Sequence, residues 1–295
     1  MKSGFVGLIG RPNVGKSTLM NKIIGAKVAI TTDKPQTTRN IIQGIYNDEE
    51  TQIVFVDTPG IHKPNHKLGK YLNREAYYSI DDVDVILFLV DASAGLGGGD
   101  KYVIEKFNDI DKPVILVLNK IDKLNKEQIM ERIVEYKDLY AFSEIVPISA
   151  IKGRGCDLLV DVLRKYLPDN MRYYSEEQIT NKSDEFIIAE LVREKVFQLT
   201  SDEVPHSLTC FVEGLEYKKG KMIINVCIVV DRDALKKIII GKNGSKVKEI
   251  GVRARHDIEE YFGKQVYLEI YVRTIEKWRD REKYLKEFGY NDFTE

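Results

Sequence analysis

The chain is predicted to fold as two domains: a doubly wound α/β domain over residues 1–170 with a mainly parallel sheet, then a smaller α+β domain over 184–295. Three observations predict this. From residue 5 to 166, short apolar runs alternate with helix-length amphipathic stretches. That alternation stops at Pro168-Asp169-Asn170, where a helix end, a proline and loss of periodicity coincide. Beyond a polar linker at 171–183 the order becomes helix, strand, strand, helix, helix, strand. A length of 295 residues also suits two domains better than one.

The first apolar run, residues 5–9, leads into Gly10-Arg11-Pro12-Asn13-Val14-Gly15-Lys16-Ser17 and a helical pattern from Thr18 to Ile24. This strand, glycine loop and helix carry the G-x-x-x-x-G-K-[ST] spacing of a phosphate-binding loop. Such a loop curls so that its N–H groups point at phosphate oxygens, and the helix start adds partial positive charge. Lys16 is then placed for β- and γ-phosphates, and the Ser17 hydroxyl for Mg²⁺. The domain therefore reads as a P-loop NTPase.

Strands are predicted at 41–46, 53–56, 83–90, 114–118 and 145–148, and helices at 68–80, 100–109, 127–140 and 156–166. In a doubly wound sheet the ligand sits at the carboxyl ends of the strands, and chemistry-bearing residues fall there. After the third strand comes Asp57-Thr58-Pro59-Gly60, an aspartate able to hold Mg²⁺ through its water shell and an N–H able to meet a γ-phosphate. After the fifth comes Asn119-Lys120-Ile121-Asp122, whose carboxylate can take the N1–H and exocyclic amine of guanine. Adenine cannot offer that pair, so a mismatched base leaves buried polar groups unpaired. After the sixth, Ser149-Ala150 offers a backbone N–H for the guanine carbonyl. Gly95, Gly97, Gly98 and Gly99 lack phosphate-loop spacing and read as a flexible turn.

In the second half, a helix is predicted at 184–199, strands at 207–217 and 222–230 joined by a hairpin, and helices at 234–240 and 245–262. A strand at 265–272 closes the unit. Between the paired helices lies Ile240-Gly241-Lys242-Asn243-Gly244-Ser245-Lys246. The glycines permit close approach of a nucleic-acid backbone, and the next helix offers N–H groups. Lys242, Lys246 and Arg253 belong to a stretch, 232–264, with nine Lys/Arg against five Asp/Glu. A local excess of about four positive charges in a chain of net charge −1 is the footprint expected of a confined nucleic-acid site. A helical tail over 274–290 is expected to pack through Trp278, Leu285 and Phe288.

Composition narrows the classes. With 43% hydrophobic and 31% charged residues the chain reads as a soluble globular protein. Three cysteines, Cys156, Cys210 and Cys227, have no metal-ligand spacing and fit a reducing compartment. No signal peptide or run long enough to span a bilayer is read, so the expected location is intracellular.

Taken together, the phosphate loop, Asp57-x-x-Gly60, Asn119-Lys120-x-Asp122 and Ser149-Ala150 resemble the guanine-binding set of the translation-factor-related GTPases. Lys34-Pro35-Gln36-Thr37-Thr38-Arg39 is similar to their first switch, which implies Thr38 as a second Mg²⁺ ligand. The run from Asp57 to Leu68 resembles the second switch of the Era family of bacterial ribosome-assembly GTPases, and the α-β-β-α-α-β order with its G-x-x-G resembles a bacterial-type KH domain. KH loops clamp about four nucleotides, preferring single strands. The resemblance implies a GTP-hydrolysing switch that binds the 3′ end of small-subunit ribosomal RNA and acts in assembly of the 30S subunit. It further implies a monomer in the cytoplasm with peripheral association at the inner membrane. Ile61 stands where Ras-like proteins orient water with glutamine, so unassisted turnover is expected on the order of 10⁻³ s⁻¹ or less. Asn13 has two readings, a ligand to K⁺ beside the phosphates or a loop-turn residue. Two alternatives stay open, a nucleotide-stabilised RNA chaperone with negligible turnover and another assembly GTPase.

Overall fold

The computed structural model describes residues 1–32, 34, 37–60, 67–108, 110–200, 204, 207–218 and 220–290, without the side chains of 73 and 75–80. The bulk of the chain divides at Asn181/Lys182 into two compact units.

The first unit is built on a six-stranded sheet in the order β2-β3-β1-β4-β5-β6. Its strands are β1 (Lys2–Ile9), β2 (Ile42–Asn47), β3 (Thr51–Asp57), β4 (Val85–Asp91), β5 (Val114–Asn119) and β6 (Glu144–Pro147). Only β2 runs antiparallel to its neighbour. β4 and β5 are near-continuous Val/Ile/Leu/Phe because helices cover both faces, and they carry the core with Phe88, Phe107 and Tyr136. Around the sheet lie α1 (Lys16–Ile24), α2 (Lys67–Asp81), α3 (Gly98–Ile104), α4 (Lys126–Lys137) and α5 (Cys156–Tyr166). The helix expected at 100–109 begins two residues earlier and breaks into a 3₁₀ turn at Glu105–Phe107. The Asp100 carboxylate, accepting from the Gly97 N–H at 2.9 Å, sets that early start.

The segment read as a linker lies along the sheet. Gln52, fully buried in β3, accepts from the Tyr173 and Tyr174 N–H groups at 2.7 and 3.0 Å and donates to the Tyr174 carbonyl at 2.9 Å. Ile45 N–H then donates to Ile179 O at 2.9 Å, and Gly44 bridges Thr180. The polar run 173–181 thus satisfies the open edge of β2, which its lack of apolar periodicity concealed.

The second unit packs α6 (Asp184–Leu199), α7 (Asp233–Ile240) and α8 (Ser245–Phe262) on a sheet of β7 (Leu208–Lys218), β8 (Lys221–Val230) and β9 (Gln265–Thr274). β7 and β8 form the antiparallel hairpin and β9 joins β8 in parallel. Val192, Val196, Leu235, Ile239, Ile250, Ala254 and Ile258 meet Ile224, Val226 and Ile228 in one core. The tail is less helical than expected. β9 runs to Thr274, Lys277 takes a left-handed φ of 53°, and helix appears only at α9 (Glu282–Glu287) after a 3₁₀ turn. Packing overrides propensity there: Trp278 is fully buried and its indole N–H donates to Ser207 O at 3.1 Å. Trp278→Ala is expected to cost about 3–5 kcal/mol, read as a lower midpoint for this unit in denaturant followed by circular dichroism.

Candidate functional site

The phosphate loop sits where β1 ends between β3 and β4, the crevice that a doubly wound sheet offers a ligand. Gly15 has φ 100°, and a Cβ there would lie 2.3 Å from Asn119 Nδ2, so only glycine fits. Lys16 begins α1 and is buried; its Nζ donates to Gly10 O and Arg11 O, each at 3.2 Å. Burial pushes its pKa down, partly offset by the Asp57 carboxylate.

Three oxygens converge beside it from separate elements. Ser17 Oγ donates to Asp57 Oδ2 at 2.5 Å, Thr38 Oγ1 donates to the same oxygen at 3.3 Å, and the two hydroxyls lie 3.0 Å apart. Burial raises the Asp57 pKa against the pull of Lys16 and both hydroxyls. Asp57 Oδ1 is buried without a hydrogen-bond partner among the described residues. Two hydroxyls and a carboxylate with one oxygen to spare form a hard-oxygen donor set that suits Mg²⁺. Thr58 Oγ1 donates to Leu8 O at 2.9 Å and fixes the end of β3. Pro59 and Gly60 are buried, and a Cβ on Gly60 would meet Pro12 N at 2.7 Å, so this loop abuts the phosphate loop. Residues 61–66 lie outside the described residues, as do Pro35 and Gln36.

The base-recognition residues are cross-braced. Asn119 donates through Nδ2 to Val14 O at 2.8 Å and accepts through Oδ1 from Lys120 N–H and Ala150 N–H at 2.8 and 3.0 Å. Lys120, left-handed at φ 68°, stretches its Nζ to Asn13 O at 2.8 Å and Asp91 Oδ2 at 2.6 Å. Although burial opposes ionisation of Asp91, the bonded Lys120 holds its carboxyl below the usual range. Ser149 Oγ donates to Asp122 Oδ1 at 2.6 Å, and Asp122 is exposed. Ile121 is buried beneath it. Thr18 lines a cavity of about 530 Å³ with Asn21, Thr31 and Ala150. Asn13 is exposed at φ 64°, a conformation asparagine tolerates. Asp91 escaped the sequence reading, yet it ends β4 and the strand-end rule points to it.

In the second unit Gly241 takes φ 71°, ψ 177°, a region essentially closed to other residues, and Asn243 and Gly244 are left-handed at 53° and 75°. A Cβ on Gly241 would lie 2.7 Å from Lys246 Cβ. Gly241→Ala is therefore expected to cost about 1–3 kcal/mol, measurable as a fall in the denaturant midpoint. Ile240 is half-buried at the end of α7, while Lys242, Asn243 and Ser245 are exposed. Between α8 and β9 runs a groove of about 310 Å³, floored by Gly251, Leu268 and Ile270 and edged by Lys248, Val252 and Arg255. The sequence reading missed this lining because it is assembled from two elements. Arg253, expected in the RNA set, is not among the lining side chains and pairs with Glu249 at 2.6 Å.

The fold and these two sites define a P-loop GTPase with a KH domain on its C-terminal side. Residues 5–120 match the family described as 50S ribosome-binding GTPase, and residues 203–279 match the KH domain family. The chain belongs to the Era family. It is 42% identical to a point variant of Aquifex aeolicus Era bound to GDP and AlF4⁻, over 98% of this chain and 99% of that one, with a TM-score of 0.95. It is 41% identical to an Era solved with MgGDPNP and nucleotides 1506–1542 of 16S ribosomal RNA, over the same shares, with a TM-score of 0.96.

Proposed function

We propose that the protein binds and hydrolyses GTP and uses the cycle to regulate a grip on single-stranded RNA, the 3′ end of small-subunit ribosomal RNA, during assembly of the 30S subunit. The observation that carries this is the braced set Asn119, Asp122 and Ser149 standing beside Lys16, Ser17 and Asp57. It unites guanine selection with triphosphate binding. The nucleotide and RNA present in the two Era structures support the same reading.

Gly10 to Ser17 cradle the phosphates through backbone N–H groups, and Thr18 continues the cradle into α1. Lys16 exchanges its bonds to Gly10 O and Arg11 O for β- and γ-phosphate oxygens, which restores a full partner to a buried charge. Ser17 and Thr38 would hold Mg²⁺ directly and Asp57 through water, and the bound ion would neutralise charge on the phosphates. Thr38 and the Gly60 N–H sense the γ-phosphate, so its loss frees both switches. Ile61 offers no donor or acceptor with which to orient water, so unassisted turnover is slow. Asn13 either contributes to a K⁺ site, which would favour developing charge, or serves only its left-handed turn. Gly241 to Lys246 clamp the RNA backbone while bases enter the groove over Gly251. The working location in this reading is the cytoplasm, as a monomer with peripheral contact at the inner membrane.

Retention of single-stranded RNA is expected to differ between the GTP-analogue and GDP forms of the full chain; equal retention refutes the switch. Phosphate release in K⁺ is expected to exceed release in Na⁺ if Asn13 serves the cation, with the difference lost in Asn13→Ala. Ile61 also favours a second reading, an RNA chaperone stabilised by nucleotide. Absence of phosphate release with RNA present would select it.

A further inference from the structure

Gly95 to Gly99 read in the sequence as a flexible turn, but two of these glycines make room for a side chain of the phosphate loop. A Cβ on Gly97 would lie 2.8 Å from Arg11 Nη1, and one on Gly99 would lie 2.5 Å from Arg11 Cδ. Between them Arg11 Nε reaches Asp100 Oδ1 at 2.9 Å, and the Asp100 side chain is fully buried. The other carboxylate oxygen accepts from the Gly97 N–H at 2.9 Å and from the Tyr136 hydroxyl at 3.3 Å. Arg11 is the sole cation paired with Asp100 among the described residues. Arg11 also reaches the chemistry through its backbone, since its carbonyl is one of two that hold Lys16 Nζ.

An ion pair with one buried partner adds little net stability over an apolar pair of the same shape, but it fixes geometry and direction. Here it joins the start of α3 to the peptide that parks the lysine. We propose that Arg11 is a positioning residue of the phosphate loop, clamped by Asp100 in a glycine-lined slot, so that its carbonyl holds Lys16 where an incoming triphosphate can take it over. This rests on the GTPase reading above and adds a part to it. The glycines at 97 and 99 are then steric requirements of that clamp.

The test uses the full chain and four variants: Arg11→Ala, Arg11→Lys, Gly99→Ala and the Arg11→Ala/Gly99→Ala double. GTP and XTP affinities, kcat and KM are measured beside the melting temperature. A misplaced loop is expected to lower kcat/KM for GTP by roughly 10²-fold in Arg11→Ala, with the preference for GTP over XTP unchanged and Arg11→Lys recovering part of the loss. Gly99→Ala is expected to act through Arg11, so its penalty should vanish in the Arg11→Ala background. Wild-type kinetics in Arg11→Ala with only the melting temperature lowered would overturn the clamp, as would full additivity in the double variant. Wild-type protein that takes up no GTP would overturn the GTPase reading and the clamp together.

Discussion

Asp122→Asn is expected to convert a GTP-selective pocket into one that prefers XTP. The carboxylate is positioned by the Ser149 hydroxyl at 2.6 Å, and in the proposed reading it takes two guanine donors. Hydrogen bonds to a charged group contribute about 1.5–3 kcal/mol each, so losing two lowers GTP affinity by roughly 10²–10⁴-fold. The new amide can accept from xanthine N1–H and donate to its 2-oxo group, so XTP affinity should rise. Competition between unlabelled GTP and XTP for a fluorescent nucleotide reads the change directly. Ser149→Ala should give a smaller loss with guanine preference kept, because it frees the carboxylate without removing it. Unaltered preference in Asp122→Asn would end the assignment of this loop to base recognition.

The second large effect is expected on RNA. Reversing Lys242 and Lys246 to glutamate removes two cations and adds two anions beside the backbone clamp. For single strands each neutralised phosphate contributes about 0.7 to the slope of log affinity against log salt, so the slope should fall by roughly 1.4 or more. Affinity should fall along with it, about equally for all sequences, since backbone contacts carry no sequence information. Both changes preserve Cβ, and Lys242 is exposed, so the fold should persist. GTP affinity of the same variant serves as the internal control. A salt titration with unstructured RNA decides the matter, and an unchanged slope would remove the G-x-x-G loop from the RNA site.

The parts of this protein legible in its sequence are those carried by local patterns. The order Gly10-x-x-x-x-Gly15-Lys16-Ser17 marks a loop through the φ freedom of glycine and the chemistry of a helix start. Asp57, Asn119 and Ser149 could be placed because a buried parallel strand is an apolar run with an abrupt polar end. The edge role of 173–181 was hidden, because its partner is Gln52, more than a hundred residues away, and polar clasping leaves no periodicity. Helix was expected through the tail, where burial of Trp278 against Ser207 O bent the chain instead. The groove over Gly251 likewise needs α8 and β9 side by side.

The sequence by itself determined the two-domain order, the position of the nucleotide loop and its strand-end companions, and that of the G-x-x-G loop, since each depends on neighbours within a few residues. Tertiary structure alone decided that Arg11 lies in a slot made by Gly97 and Gly99, and that the connecting segment zips to β2. The physical reason is range. Backbone conformation and helix-end electrostatics act over one turn of chain, whereas a buried charge or an open sheet edge is satisfied by whichever group the packed fold brings near.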